Sequence, residues 1–398
     1  MDSTTRAQTT VDLIIIGGGC AGLSLAMRLA QLKSDAPTTL ILESRSAYHN
    51  DRTWCFWRNP ELEFDAMVQH QWTKIRVRSP DDVTVLDCQA APYQLLPSHI
   101  FYREAEATLA ASSKTRLLKQ VTVLGQPQKN ADGWSVPTNR GNFQARMIVD
   151  TRPDPNLKAS DTQMWQSFYG EEVECDADVF DPTIADLMDF SQGCSEMVKF
   201  LYVLPMSKRR ALVEMTVFSP GPVSRETLQA ECKSAVETCV KGERFRTARS
   251  EHGILPMGNP KRVDNREDNY VRVGLHAGAA RASTGYAFQR IQRWAGLCAA
   301  QLAKGAPPVP HRRDPVLLRW MDYLFLRVLK RRPEMAPLLF VSVFKNTKAS
   351  RLIRFLNDNG TVFDFVAIVR ALPARPFVSE IFKMVFGAVS GRTQKAPQ

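Results

Sequence analysis

Apolar and polar positions alternate in different rhythms along the chain. After a polar lead, Val11 to Ile16 is a continuous β-branched run, the pattern of a buried parallel strand. Leu23 to Leu32 follows at helical spacing, and "TTLILESRS" predicts a second strand ending in Glu43. Ser46 to Arg58 reads as an aromatic-rich loop. Between Leu62 and Val85, "WTKIRVRS" and "VTVLD" alternate as strands do, and "SHIFYREAEATLAASS" predicts a helix with Ser98 as its N-cap. "LLKQVTVLG", "GWSVPTN" and "FQARMIVDTR" predict a meander returning to the first sheet, its last strand closing on Asp150. "MWQSFYGEEVECD" and "EMVKFLYVLPMSKRRALVEMTVFS" alternate again and predict a second, antiparallel sheet; "RETLQAECKSAVETCVKG" predicts a helix. "YVRVGLHAGAARASTGYAFQRIQRWAGLCAAQLAKG" reads as a strand, a glycine-rich loop and a long helix, and the remainder as mostly helical. The expected fold class is α/β. A Rossmann-type dinucleotide-binding domain takes residues 11–160 and 250–305, an inserted antiparallel substrate domain takes 161–249, and a helical region takes 306–398.

Composition refines this picture at three points. The 398 residues are 44% hydrophobic and 23% charged, a globular balance, and no run of 18 apolar residues predicts a spanning helix. The N-terminal ten residues lack the apolar core of a secretory signal. Eight cysteines without a CxxC pair and six histidines without HxxxH spacing point to a reducing cytoplasm and away from zinc or an iron–sulfur cluster, so no metal is expected. Charge is concentrated: residues 310–398 hold 16 Lys and Arg against 6 Asp and Glu, most of the formal +11 of the chain. Those cations interleave with Leu, Phe, Val and Trp, as in "VLLRWMDYLFLRVLKRR" and "FKNTKASRLIRFL". Such a mixture suits a solvated helical face or helices lying on an anionic membrane.

Gly17, Gly19 and Gly22 fit G-x-G-x-x-G between the first strand and its helix. Gly17 permits the tight turn, Gly19 lets backbone approach a pyrophosphate, and Gly22 lets helix and strand pack closely, while the helix N-terminus offers N–H groups to phosphate. Glu43, 21 residues beyond Gly22, is placed to accept a ribose 2′-OH. The ligand is therefore NAD or FAD, and the loop alone does not separate them.

Further segments narrow the choice. "DRTWCFW", "YQLLPSHIF", "VDTR", "WQSFYGEEV", "LVEMT", "HGILPMG" and "GLHAGAARASTGYAF" occur in that order. Together with the glycine loop they resemble the blocks of the lycopene beta-cyclases, flavoproteins that close the ends of the linear carotenoid lycopene, over nearly the whole chain. The resemblance implies a FAD-binding domain, with FAD held reduced by NAD(P)H, and an acid-catalysed cyclisation without net redox change. It implies Glu214 of "LVEMT" as the acid, kept protonated in an apolar pocket. Trp54 and Phe56 are candidates for the aromatic wall facing a substrate cation. Asp150, Arg152, Gly274, Gly278, Thr284 and Gly285 are candidates for the flavin surround. Leu275 stands where flavin hydroxylases and geranylgeranyl reductases usually carry Asp, and the cyclases also lack that Asp. Three departures stand out. Arg52 replaces a usual His, Met215 replaces a second acid, and Arg281-Ala282 replaces His-Pro. Arg281 is either a surface charge or a substitute cofactor contact. Two rivals remain: a flavin monooxygenase or polyprenyl reductase on the same scaffold, and a decayed flavin-binding module. The implied partners are lycopene or a related linear carotenoid and an anionic membrane surface, with no nucleic acid. The expected location is cytoplasmic, peripheral on the inner face of the cell membrane.

Overall fold

The computed structural model describes residues 10–62, 64–153, 163–193, 195–258 and 269–390, with side chains described to 384. Four parallel strands lie in the order Thr115–Leu118, Thr39–Leu42, Val11–Ile16 and Gly141–Asp150. Tyr270–Arg272 joins in parallel against the last three residues of Gly141–Asp150, whose first half instead turns back on Gly133–Thr138. The helices Cys20–Gln31, Ser98–Ala110 and Phe288–Leu302 enclose a core with this sheet through Leu25, Leu29, Phe101, Ile291, Trp294 and Cys298. In Phe288–Leu302 the buried side chains recur every three to four residues, so one stripe faces the sheet.

Two local expectations are corrected. Ser46 to Arg58 is not all loop: Thr53–Trp57 is a strand in a three-stranded sheet with Tyr93–Pro97 and His70–Trp72. Its two faces are both apolar, so it carries no period-two signal. Ser98 does not cap its helix; the N-cap is Pro97, and the Ser98 hydroxyl instead accepts from the backbone N–H groups of Asp51 and Arg52 at 3.0 and 3.1 Å.

The second large sheet runs Phe245–Met257, Met164–Cys175, Arg210–Ser219, Val198–Pro205, Ile184–Asp189, Lys74–Arg78 and Val83–Asp87. It therefore takes two strands from residues 74–87, ahead of the 161–249 segment expected from sequence, and its first strand runs past residue 249. Only the parallel pairing of Lys74–Arg78 with Ile184–Asp189 brings the early hairpin in, and no local pattern encodes a partner 110 residues away. Period-two alternation gives this sheet two apolar faces. Val213, Met215, Val217, Tyr169 and Val173 point under the helix Arg225–Cys239, against Leu228, Cys232 and Val236. Leu212, Glu214, Thr216 and Phe218 point the other way, into a cavity.

The C-terminal region is helical: Val316–Arg331, Ala336–Asn346, Ala349–Leu356, Val362–Ala371 and Ala374–Ser390. Leu326, Leu329 and Leu339 pack on Phe200 and Phe218, and Phe344, Leu352, Ile353 and Ile368 on Trp72, Ile75 and Val77.

Candidate functional site

A cavity of about 570 Å³ runs from the glycine loop to the antiparallel sheet. At the loop end the glycines do three separate jobs. Gly17 has φ of +98°, which L side chains rarely adopt. Gly22 sits so close to the Gly17 carbonyl that a Cβ would lie 2.0 Å from that oxygen. Gly19 has no atom within 4 Å of where a Cβ would stand and lines the cavity at the start of the helix Cys20–Gln31. An open backbone surface at a helix N-terminus is what a pyrophosphate requires.

Glu43 does not reach this opening. It is buried, accepts from the Gly18 N–H at 2.8 Å, and is paired with Arg45 at 3.0 Å. Burial works against its charge, but the Arg45 hydrogen bonds outweigh it and hold the carboxyl below its ordinary range. Arg45 lines the cavity instead, its guanidinium 4.7 Å from the Tyr48 ring and 5.3 Å from the Tyr102 ring. Asp150 and Arg152 also lie behind the wall. Asp150 is fully buried and accepts from Arg152 and, at 3.1 Å, from the Tyr270 hydroxyl, while Arg152 donates to the Gly125 carbonyl at 2.9 Å. The residue between them, Thr151, faces the cavity and donates to the Ile16 carbonyl at 2.9 Å. Gly274, Thr284 and Gly285 line the cavity; Gly278 does not. Gly274 has φ of +95° and donates its N–H to His311 Nε2 at 3.0 Å. Gly285, at φ of +71°, packs against Gln166, whose Oε1 is buried, lines this region and accepts no hydrogen bond.

At the sheet end Glu214 is placed by cross-strand register. Gly170 is its neighbour on one side and Tyr202 on the other. A Cβ on Gly170 would stand 3.2 Å from Glu214 Cβ and 3.4 Å from its Cγ, so the missing side chain is the space over which Glu214 leans. Thr216, two residues on along the same face, donates to Glu214 Oε1 at 2.9 Å. Enclosure among Phe168, Phe200, Phe218, Leu212 and Tyr202 withholds water from the carboxyl. That desolvation, reinforced by the Glu251 carboxylate, pushes the group up to about 8, against the opposing pull of Thr216 and Arg249. Glu251, on Phe245–Met257, is buried, accepts from Thr53 Oγ1 at 2.8 Å and pairs with Arg249, which also binds buried Glu172 at 2.6 Å. Tyr93 and Tyr202 share a hydroxyl–hydroxyl bond in the wall, and burial raises both phenols well above their ordinary range.

The two aromatic candidates part company. Trp54 lines the cavity and stacks on Phe288 at 5.3 Å. Phe56 is buried against Phe288 at 5.0 Å and Phe64 at 6.3 Å and does not line it.

The family model described as lycopene cyclase protein matches residues 12–381. The chain belongs to the lycopene cyclase family. The lycopene beta-cyclase of Pantoea ananas is 26% identical over 396 residues, covering 94% of this chain and 98% of that protein. The lycopene beta-cyclase of Paracoccus sp. is 25% identical, covering 81% of this chain and 82% of its own. Among solved structures, a geranylgeranyl bacteriochlorophyll reductase-like protein from Thermoplasma acidophilum superposes with a TM-score of 0.61 at 14% identity, covering 94% of this chain and 99% of its own. The flavin-dependent brominase Bmp2 also gives 0.61, at 12% identity, covering 94% and 100%. These likenesses show an α/β fold shared with flavoproteins.

Within the lycopene cyclase family the departures of this chain have structural jobs. Met215 faces away from the cavity into the apolar packing under Arg225–Cys239, where a carboxylate would be unpaired. Arg281 is neither a surface charge nor a cavity residue. It is fully buried, pairs with Asp322 at 3.3 Å, and lies 4.1 Å over the Phe355 ring. Ser283 donates to the same Asp322 at 2.8 Å. Arg52, on the cavity rim, donates to the His252 carbonyl at 2.9 Å. Sequence reading missed Glu251, Arg249, Thr53 and Thr151 as parts of this site. The segments "DRTWCFW", "HGILPMG" and "VDTR" pointed near them, but only pairing across the sheet turns them inward. Among the described residues no group of three His, Cys, Asp or Glu is placed to hold a metal ion, and no helix is long and apolar enough to cross a membrane.

Proposed function

We propose that this protein is an FAD-dependent carotenoid cyclase that closes an end of lycopene, or of a related linear polyene, into a beta ring by acid-catalysed isomerisation. The observation that carries the reading is Glu214, a carboxyl that strand register turns into a cavity lined by Phe168, Phe200, Phe218 and Leu212, where enclosure favours its acid form. An alkene is a poor base, so the donor must be held close and shielded from water. Thr216 donates to Oε1 and orients the carboxyl. Protonation of the terminal alkene gives a tertiary cation, an internal double bond attacks it, and proton loss sets the ring double bond. Trp54, Phe168 and Tyr202 line the space in which that charge develops and supply polarisable aromatic rings there.

The cavity fits FAD by three features of this chain. The backbone at Gly19 is open at a helix N-terminus, Arg45 stands beside it, and the orphaned Gln166 Oε1 waits for an N–H or hydroxyl donor. FAD kept reduced by NAD(P)H would supply an electron-rich, anionic ring as counter-charge to the substrate cation. Gly19, Arg45 and Thr151 would hold its phosphate end, with Gly17 and Gly22 shaping the loop, and Gly274, Thr284, Gly285 and Gln166 would hold its ring end. Glu43 would act on the ribose through its pair with Arg45.

A forty-carbon hydrocarbon resides in lipid, so the basic C-terminal helices are assigned to a peripheral membrane contact, on the cytoplasmic face. Expression in lycopene-accumulating bacteria tests the activity. The parent chain is expected to convert the pigment to a ring-bearing carotene, and Glu214→Gln to lose conversion by ~100-fold or more. With purified protein, product that accumulates in proportion to NAD(P)H consumed would identify a reductase or monooxygenase instead. A parent that leaves lycopene untouched would identify a decayed site.

A further inference from the structure

The cavity face of the antiparallel sheet carries two carboxyls in one row. Register pairs Gly170 with Glu214 on one neighbouring strand and with Glu251 on the other. The two glutamates are thus separated by two strand spacings, about 10 Å between backbones. The residue between them has no side chain, and Glu214 leans across it. Both side chains line the same cavity. Their surroundings differ sharply. Glu251 is an ion-paired carboxylate, bound by Arg249 and by the Thr53 hydroxyl at 2.8 Å. Arg249 is fixed in turn by Glu172 at 2.6 Å, and Glu172 is bound from its other side by Arg210. Glu214 has a single hydroxyl donor, Thr216.

We infer that Glu251 is a positioning residue for the proton donor: fixed by Arg249 and Thr53 beyond Gly170, it faces Glu214 across the open middle strand with a like charge that adds to enclosure in favouring the acid form. The inference rests on Glu214 being the acid. The role assigned to Glu251 is exercised through Glu214. A carboxylate placed beside a second carboxyl in a shared cavity disfavours the charged form of that neighbour. The other ionisable groups facing Glu214 do not compete for this role. Tyr202 and Cys55 are raised well above their ordinary ranges by burial, and Tyr286 to about 12. Cys232, beneath the sheet, is also raised to about 12, so all four are neutral across the working range. Arg249 is the cation that opposes this effect, and it is bound between Glu251 and Glu172; Arg52, on the cavity rim, is turned to the His252 carbonyl.

The test is the alkaline limb of the pH–rate profile for lycopene conversion, compared between parent and Glu251→Gln. Removing the charge while keeping the shape is expected to move the limb to lower pH by ~1 unit. Glu251→Asp, which draws the carboxylate back from Gly170, is expected to move it the same way by less, and serves if the Gln protein does not fold. A limb that stays in place in both variants, whatever the change in rate, overturns the inference and leaves Glu251 a structural ion-pair partner. Failure of the underlying reading has a separate signature: Glu214→Gln still converting lycopene, or a parent profile flat through pH 8.

Discussion

Gly170 shows how one missing side chain shapes the cavity. Glu214 can occupy the centre of the cavity face because nothing projects from the middle strand. Gly170→Ala brings a methyl group to 3.2 Å from both Glu214 Cβ and Leu212 Cδ1. A shift of the acid by even ~1 Å costs on the order of 100-fold in rate. The variant is therefore expected to melt within a few degrees of the parent while pigment conversion collapses. Glu214 itself should carry a stability penalty. Its folded value, about 8, lies above the ordinary 4.5, so the folded state binds the proton more tightly. The stabilising contribution is then complete below pH 4.5 and is lost as pH rises through 8. Glu214→Gln removes that dependence. Melting curves should find the variant more stable than the parent at pH 8 to 9 and the two converging near pH 4; a constant difference across that range would contradict the assignment.

At the scale of elements, the loop between Tyr270–Arg272 and Phe288–Leu302 joins two parts of the molecule. Its cavity side presents Gly274, Thr284 and Gly285; its far side sends Arg281 into the C-terminal helices. Asp322 on Val316–Arg331 accepts from both Arg281 and Ser283, and Asp358 receives Arg290 and Arg293 from Phe288–Leu302. Breaking one partner of a fully buried pair leaves the other charge uncompensated, at a cost of about 3–5 kcal/mol. Arg281→Met is thus expected to lower the denaturant midpoint strongly, and Arg281→Met with Asp322→Leu to recover much of the loss. An unchanged midpoint in the single variant would remove the pair from the account of stability.

For the molecule as a whole, the notable surface is the C-terminal helical region. Val316, Leu317, Trp320 and Tyr323 are exposed at i, i+1, i+4 and i+7 on one helix; Val362, Phe363, Val366 and Val369 repeat the same spacing on another. Phe363 is 77% exposed, which a purely aqueous setting does not favour. Exposed Arg312, Arg313, Arg370 and Arg375 accompany these stripes. An apolar stripe with basic company is the pattern of a helix lying in the lipid interface. Sedimentation with anionic vesicles at low salt should therefore carry the parent down, and Phe363→Glu with Val366→Glu should release it. Equal sedimentation of both would remove Val362–Ala371 from the contact.

The sequence by itself determined most of the local elements, though not the strand Thr53–Trp57, and the membership of a family. The β-branched run before Gly17, the spacing of Gly17, Gly19 and Gly22, and the alternation of "ALVEMTVFS" each depend on neighbours within a few residues, where backbone sterics and burial write a periodic signal. It also placed Glu214 on an apolar strand. Only the tertiary structure decided which groups share a space. The early strands joined the late sheet, Thr151 faced the cavity where Asp150 and Arg152 did not, and Arg281 went inward to Asp322. Above all, Gly170 came to lie between Glu214 and Glu251. Side-chain electrostatics act through space over a few ångströms, and chain order carries no record of which residues 40 or 80 positions apart will be brought that close.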